Sequence, residues 1–168
     1  MNIIHNDLNI GGVDVVQYFT GYKNDDGVYD ETQIGLMGDP NISSDYNGFK
    51  FLFLNENHKE LFDENPSQYV PQWGGYCSWG IAGEYCPQYP WNKGCLGPSG
   101  NWGHWTIQKN SAGQEHIYFF LFDAAKTKFM DDPDLYIQLG DARWNSWYTP
   151  SDTYFSTHCY VSSVDDRK

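Results

Sequence analysis

Residues Asn55 to Ile81 read NENHKELFDENPSQYVPQWGGYCSWGI, and this stretch decides the fold. Asn55 is a residue type that caps helices, so a helix is predicted from there to about Glu64. Asn65-Pro66 then ends it, because proline disfavours helical backbone in the residue before it. His58, Leu61 and Phe62 fall at i, i+3 and i+4, which puts them on one face that must lie against apolar surface. Beyond the stop, a proline-bounded extended segment leads into Gly74-Gly75. That pair is placed to introduce a second short helix from Tyr76 to Ile81, with Cys77 in its first turn.

The neighbouring segments supply what the helix packs on. Asp45 to Phe53 contains Asn47-Gly48, the preferred centre of a two-residue hairpin turn, because both positions need positive φ. Upstream, Asp14 is placed to cap a short helix through Phe19. Downstream, His104 to Phe122 is predicted as a second hairpin connected through Asn110 to Gly113. Ile117 to Phe122 is apolar on both faces, the pattern of a strand covered on each side. Asp123 is expected to cap a helix to about Met130, and a further helix runs from about Asp134 to Trp147, weakened by Gly140. Lys23 to Pro40 is acidic, glycine-rich and expected to be a loop; its carboxylates lack the calcium-loop spacing. The sum is an α+β fold: a small antiparallel sheet from two hairpins, short helices packed on it, a long loop and a C-terminal tail. A single domain is expected over 1–168, with its core at about 11–147 and an irregular tail over 148–168.

The order of helix, Asn-Pro stop and Pro-Gln-aromatic-Gly-Gly-Tyr-Cys, here Pro71 to Cys77, resembles the secreted branch of the YHS-domain family. The turn and helix at Gly12 to Phe19 resemble the opening of that family, although Val13 and Val15 replace its aromatic and proline. Trp105-Thr106-Ile107, Ile117 to Phe120 and Ala142-Arg143-Trp144 are similar to its later strands and terminal helix. The insertion from Pro90 to Pro98 is similar to that of temptin-like members. The resemblance implies a fold and a secreted protein rather than a reaction. Short metal-handling members carry two cysteines where this chain has Leu54 and His58; leucine offers no ligand atom, so that paired-thiolate site is not expected here.

Composition narrows the function. A net charge of −12 repels phosphate backbones and anionic lipid, which argues against nucleic-acid and membrane-surface roles. No apolar run reaches the roughly 18 residues needed for a membrane span. Met1 to His5 is too short and polar for a signal peptide, so export implies a leader already removed. Four cysteines in a turn-rich chain suggest two disulfides and an oxidising compartment. Cys86 with Cys95 would close the insertion and leave Cys77 with Cys159, while Cys77 with Cys86 or Cys95 stays open. Asn41-Ile42-Ser43 is a glycosylation sequon in an expected loop.

Aromatic residues make up 18% of the chain, and many surround the insertion. Trp73, Tyr76, Trp79, Tyr89, Trp91, Trp102 and Trp105 are therefore the candidate platform for a small molecule, a glycan or a protein partner. A copper or zinc site is the second reading, with His58, His104 and His116 as ligands, because His104 and His116 lie on the two strands of one hairpin. Cys77 as a thiol nucleophile is a third, requiring a lowered pKa from an imidazole or a helix N-terminus. The leading expectation is a secreted, disulfide-stabilised YHS-type binding module without catalysis.

Overall fold

The computed structural model describes residues 9–83, 98–110 and 112–147. Its elements in chain order are α1 (Val15–Thr20), β1 (Asp39–Tyr46), β2 (Phe49–Phe53), α2 (Glu56–Glu64), α3 (Pro66–Tyr69), α4 (Ser78–Ala82), β3 (Asn101–Lys109), β4 (Glu115–Phe120), α5 (Asp123–Met130) and α6 (Pro133–Trp147). Short 3-10 turns occupy Asn9–Gly12 and Gln72–Gly75. The strands form two antiparallel hairpins, β1 with β2 and β3 with β4. This is the α+β class expected from the sequence, with the hairpins as separate two-stranded sheets.

Local chemistry explains the first half. Asn47 and Gly48 take φ of 53° and 82°, turning β1 into β2. The Asn55 side chain accepts the His58 amide at 2.9 Å and starts α2. Phe62 on the buried face of α2 meets Phe51 and Phe53 of β2, with ring centroids 4.7 and 5.1 Å away.

Strand β4, apolar and buried from Ile117 to Phe120, organises the interior. Ile117 and Phe119 belong to one buried cluster with Val13, Val16, Tyr18, Phe53, Phe62 and Trp105. Tyr118 and Phe120 point the other way, into a second cluster with Trp73, Cys77, Ile81, Phe129 and Ile137. Successive strand residues face opposite sides, so one strand divides two cores.

Several local expectations need correction. Asn41 lies on exposed β1 rather than in a loop. The short helix begins at Ser78, and Cys77 is its N-cap position. Strand β4 stops at Phe120, and Phe122 occupies the N-cap of α5, leaving Asp123 in the first turn. Gly140 is not merely a weak point in α6: a Cβ there would overlap the buried Trp73 ring. The glycine makes room for the indole.

Candidate functional site

The expected aromatic platform is dispersed. Trp73 is 3% exposed and Trp105 fully buried, so both are core residues and not ligand-facing surface. The reason lies in their partners. The Trp73 indole N–H donates to Asp141 Oδ1 at 3.0 Å, and that of Trp105 to the Gln33 carbonyl at 2.7 Å. With its one polar atom satisfied, each ring is free to bury its area. Trp79 stacks edge-on against Tyr136, and Tyr76 lies near Trp144, both half-buried. Trp102 is half-buried against the first core. Tyr89 and Trp91 lie outside the described residues.

The histidines do not converge. Gln108 is the residue opposite His116, and β3 departs from regular pairing between Asn101 and Trp105. Trp102, Gly103 and His104 fill that irregular stretch, which removes His104 from the ladder and from His116. His104 Nδ1 lies 2.7 Å from Asp123 Oδ1, and His116 Nδ1 lies 2.9 Å from Gln72 Nε2. His58 sits under α1 with other partners again. The expected ligand set of His58, His104 and His116 is therefore three separate environments. No group of three or more metal-ligating side chains occurs among the described residues.

Among the described residues Cys77 is a free thiol, 1% exposed, with no disulfide partner. Its sulfur accepts the Leu121 amide at 3.4 Å inside the second core. Burial pushes its pKa up, which works against a thiolate nucleophile. Cys86, Cys95 and Cys159 lie outside the described residues.

Asp14 is the helix cap that the sequence predicts, and its role is larger. The carboxylate is fully buried. Oδ1 accepts the Val16 and Gln17 amides at 2.8 and 3.2 Å. Oδ2 accepts the Leu54 amide at 2.8 Å and lies 2.6 Å from His58 Nδ1. One side chain thus joins the start of α1, the end of β2 and the buried face of α2. The chain of contacts continues from His58 Nε2 to Thr20 Oγ1 at 3.3 Å, in the carboxylate, imidazole, hydroxyl order of a nucleophilic relay. Thr20 Oγ1 also bonds back to the Val16 carbonyl at 3.1 Å, and three backbone amides occupy the carboxylate. Those contacts make it a tertiary clamp.

A second polar group sits between the Gln72–Gly75 turn, β4 and α6. Burial raises the Asp141 carboxyl, opposed by the Trp73 hydrogen bond and by His116. Burial lowers the His116 imidazole, opposed by Asp141. Burial raises Tyr118 as well, and its hydroxyl has no partner among the described residues. A carboxyl raised in the fold binds its proton more tightly folded than unfolded. Asp141 therefore adds stability as pH falls through its folded pKa and removes it as pH rises. His116 has the opposite sign: the unfolded chain protonates first, so stability is lost below the ordinary histidine range. Asp141→Asn keeps an acceptor for Trp73, so a higher melting temperature at pH 7 than wild type is expected, without the acid-side gain. Scanning calorimetry across pH checks this, and a lower melting temperature at pH 7 contradicts it.

The surface feature that the sequence did not single out is the run Gln33 to Gly38. Here the small residues face in and the large apolar residues face out. A Cβ on Gly35 would overlap the Tyr18 hydroxyl and Val13, and one on Gly38 would overlap the Leu52 backbone. Ile34, Leu36 and Met37 are 59%, 45% and 52% exposed. The backbone beneath them is pinned from the core. Tyr22 donates to the Ile34 carbonyl at 2.6 Å and Trp105 to Gln33 at 2.7 Å. Asp14 N–H donates to the Leu36 carbonyl at 2.9 Å, Gly35 N–H to Trp102 at 3.3 Å, and Gly38 N–H to Gly12 at 3.0 Å. Tyr18 donates to the same Trp102 carbonyl at 2.7 Å, so the irregular stretch of β3 serves as the ridge's anchor. The available signal was Ile-Gly-Leu-Met-Gly inside an otherwise polar loop.

Comparison of the chain with protein-family models, with curated proteins and with solved structures finds no match.

Proposed function

We propose that this chain is a secreted, non-catalytic binding module of YHS type whose recognition surface is the Ile34, Leu36 and Met37 ridge. The carrying observation is the inversion of that segment, with glycines packed inward and three large apolar side chains held outward. Single exposed apolar residues are ordinary, but a cluster on a fixed backbone keeps apolar area in water that a partner would remove. Holding the frame in advance lowers the entropy lost on association.

Family type and secretion rest on the Pro71 to Cys77 signature and the resemblances around it. The Asn41 sequon stands on exposed β1, where a glycosyltransferase has access. A non-catalytic role accords with a buried Cys77 and with histidines committed to separate partners.

A photoreactive amino acid placed at Leu36 tests the reading. In the medium into which the protein is naturally released, it is expected to give a discrete covalent adduct. The same group at Glu64, on the exposed part of α2, should not. Equal labelling from both positions, or none from Leu36, would contradict the proposal.

A further inference from the structure

From Asn24 to Phe49 the chain holds Asp25, Asp26, Asp30, Glu31, Asp39 and Asp45 and no lysine, arginine or histidine. Two of these carboxylates are neutralised from elsewhere: Glu31 by Lys126 at 2.6 Å, and Asp45 by Lys50 at 3.5 Å. Asp25, Asp26, Asp30 and Asp39 have no cationic partner among the described residues. Lys23, at the edge of the run, is already taken by Glu115 at 3.2 Å.

The unpaired charges bracket the ridge. Asp39 follows Met37 by two residues and Asp30 precedes Ile34 by four, so the chain places them within about 7 and 14 Å. Those separations are near or within twice the screening length of roughly 8 Å at physiological ionic strength. The carboxylates are also fixed. Asp30 accepts from the Thr32 hydroxyl at 2.6 Å and from Gln33 Nε2 at 2.7 Å, and Asp39 accepts from the Asn41 amide at 2.8 Å. The bonds from Thr32 and Gln33 hold Asp30 below the usual carboxylate range, so it stays ionised.

Resting on the ridge as the binding surface, we infer that its partner is a cationic amphipathic polypeptide segment, with apolar side chains for Ile34, Leu36 and Met37 and flanking lysines or arginines for Asp30 and Asp39. A second copy of this chain would bring the same negative rim against itself, and like charges facing each other oppose docking. An anionic lipid surface is repelled for the same reason.

The test uses two synthetic amphipathic helical peptides with one leucine face, their polar face built from lysine in one and glutamate in the other. Titration calorimetry against the full chain should find the lysine peptide at least about tenfold tighter. Ile34→Ser/Leu36→Ser/Met37→Ser should abolish that binding, and Asp30→Asn/Asp39→Asn should weaken it severalfold while flattening its salt dependence. Equal binding of both peptides, lost in the serine variant, would overturn the cationic partner and leave the ridge standing. Lysine-peptide binding that survives the serine variant would reduce the effect to bulk charge and overturn the inference. Binding of neither peptide would overturn it as well. Concentration-dependent self-association of wild type, abolished in the serine variant, would give the ridge to a second copy.

Discussion

Asp14→Ala is expected to destabilise the protein by about 4 kcal/mol, near the upper end for a single substitution. The side chain is fully buried and is the shared acceptor of Val16 N–H, Gln17 N–H and Leu54 N–H, with His58 Nδ1 at 2.6 Å. Removing it strands three amides and an imidazole away from water, and each buried unpaired group carries a desolvation cost of about 1–3 kcal/mol. The groups relax together, so the costs do not simply add. Asp14→Asn retains oxygen for part of this set and should lose about half as much. The midpoint of urea unfolding measures both. Asp14 N–H also holds the Leu36 carbonyl, so loosening at this position should reach the ridge. An alanine variant with an unshifted midpoint would show that the clamp does not hold α1, β2 and α2 together.

The second large effect is a reversal of sign. Gly140 lies inside α6, where helix propensity alone says that alanine should stabilise by about 1 kcal/mol. In the fold, the new methyl would overlap the ring of Trp73, itself 3% exposed and bonded to Asp141. Trp73 has little freedom to withdraw, since its backbone sits at φ 49° with Gly74 and Gly75 also at positive φ. Overpacking of this kind costs about 2 kcal/mol. Gly140→Ala should therefore lower stability, and the penalty should shrink when Trp73→Phe opens the site. A stabilised Gly140→Ala variant would mean that α6 does not press on Trp73.

Which features were legible in the sequence follows from the range of the forces behind them. The Asn55 cap, the Asn47-Gly48 turn and the covered strand β4 are decided within a few residues, and all three are found. His104 and His116 failed as a pair because an irregular stretch in β3 cannot be seen in alternation patterns. Trp73 and Trp105 failed as surface because their burial depends on Asp141 and on the Gln33 carbonyl, each more than sixty residues away. The ridge was hidden by composition: Lys23 to Pro40 is polar enough to pass for an ordinary loop. Only the packed core of Tyr18, Tyr22 and Trp105, reaching out with hydroxyls and an indole N–H, turns that loop into a frame.

The ridge works as a binding surface only if its backbone is held still while its apolar side chains stay wet. Amide hydrogen exchange combined with native-state oxidation of Met37 measures both halves at once. Asp14, Gly35 and Gly38 amides should exchange as slowly as those of β4, while Met37 oxidises at the rate of a free methionine. Rapid exchange at those amides, or a Met37 protected from oxidant, would contradict the account.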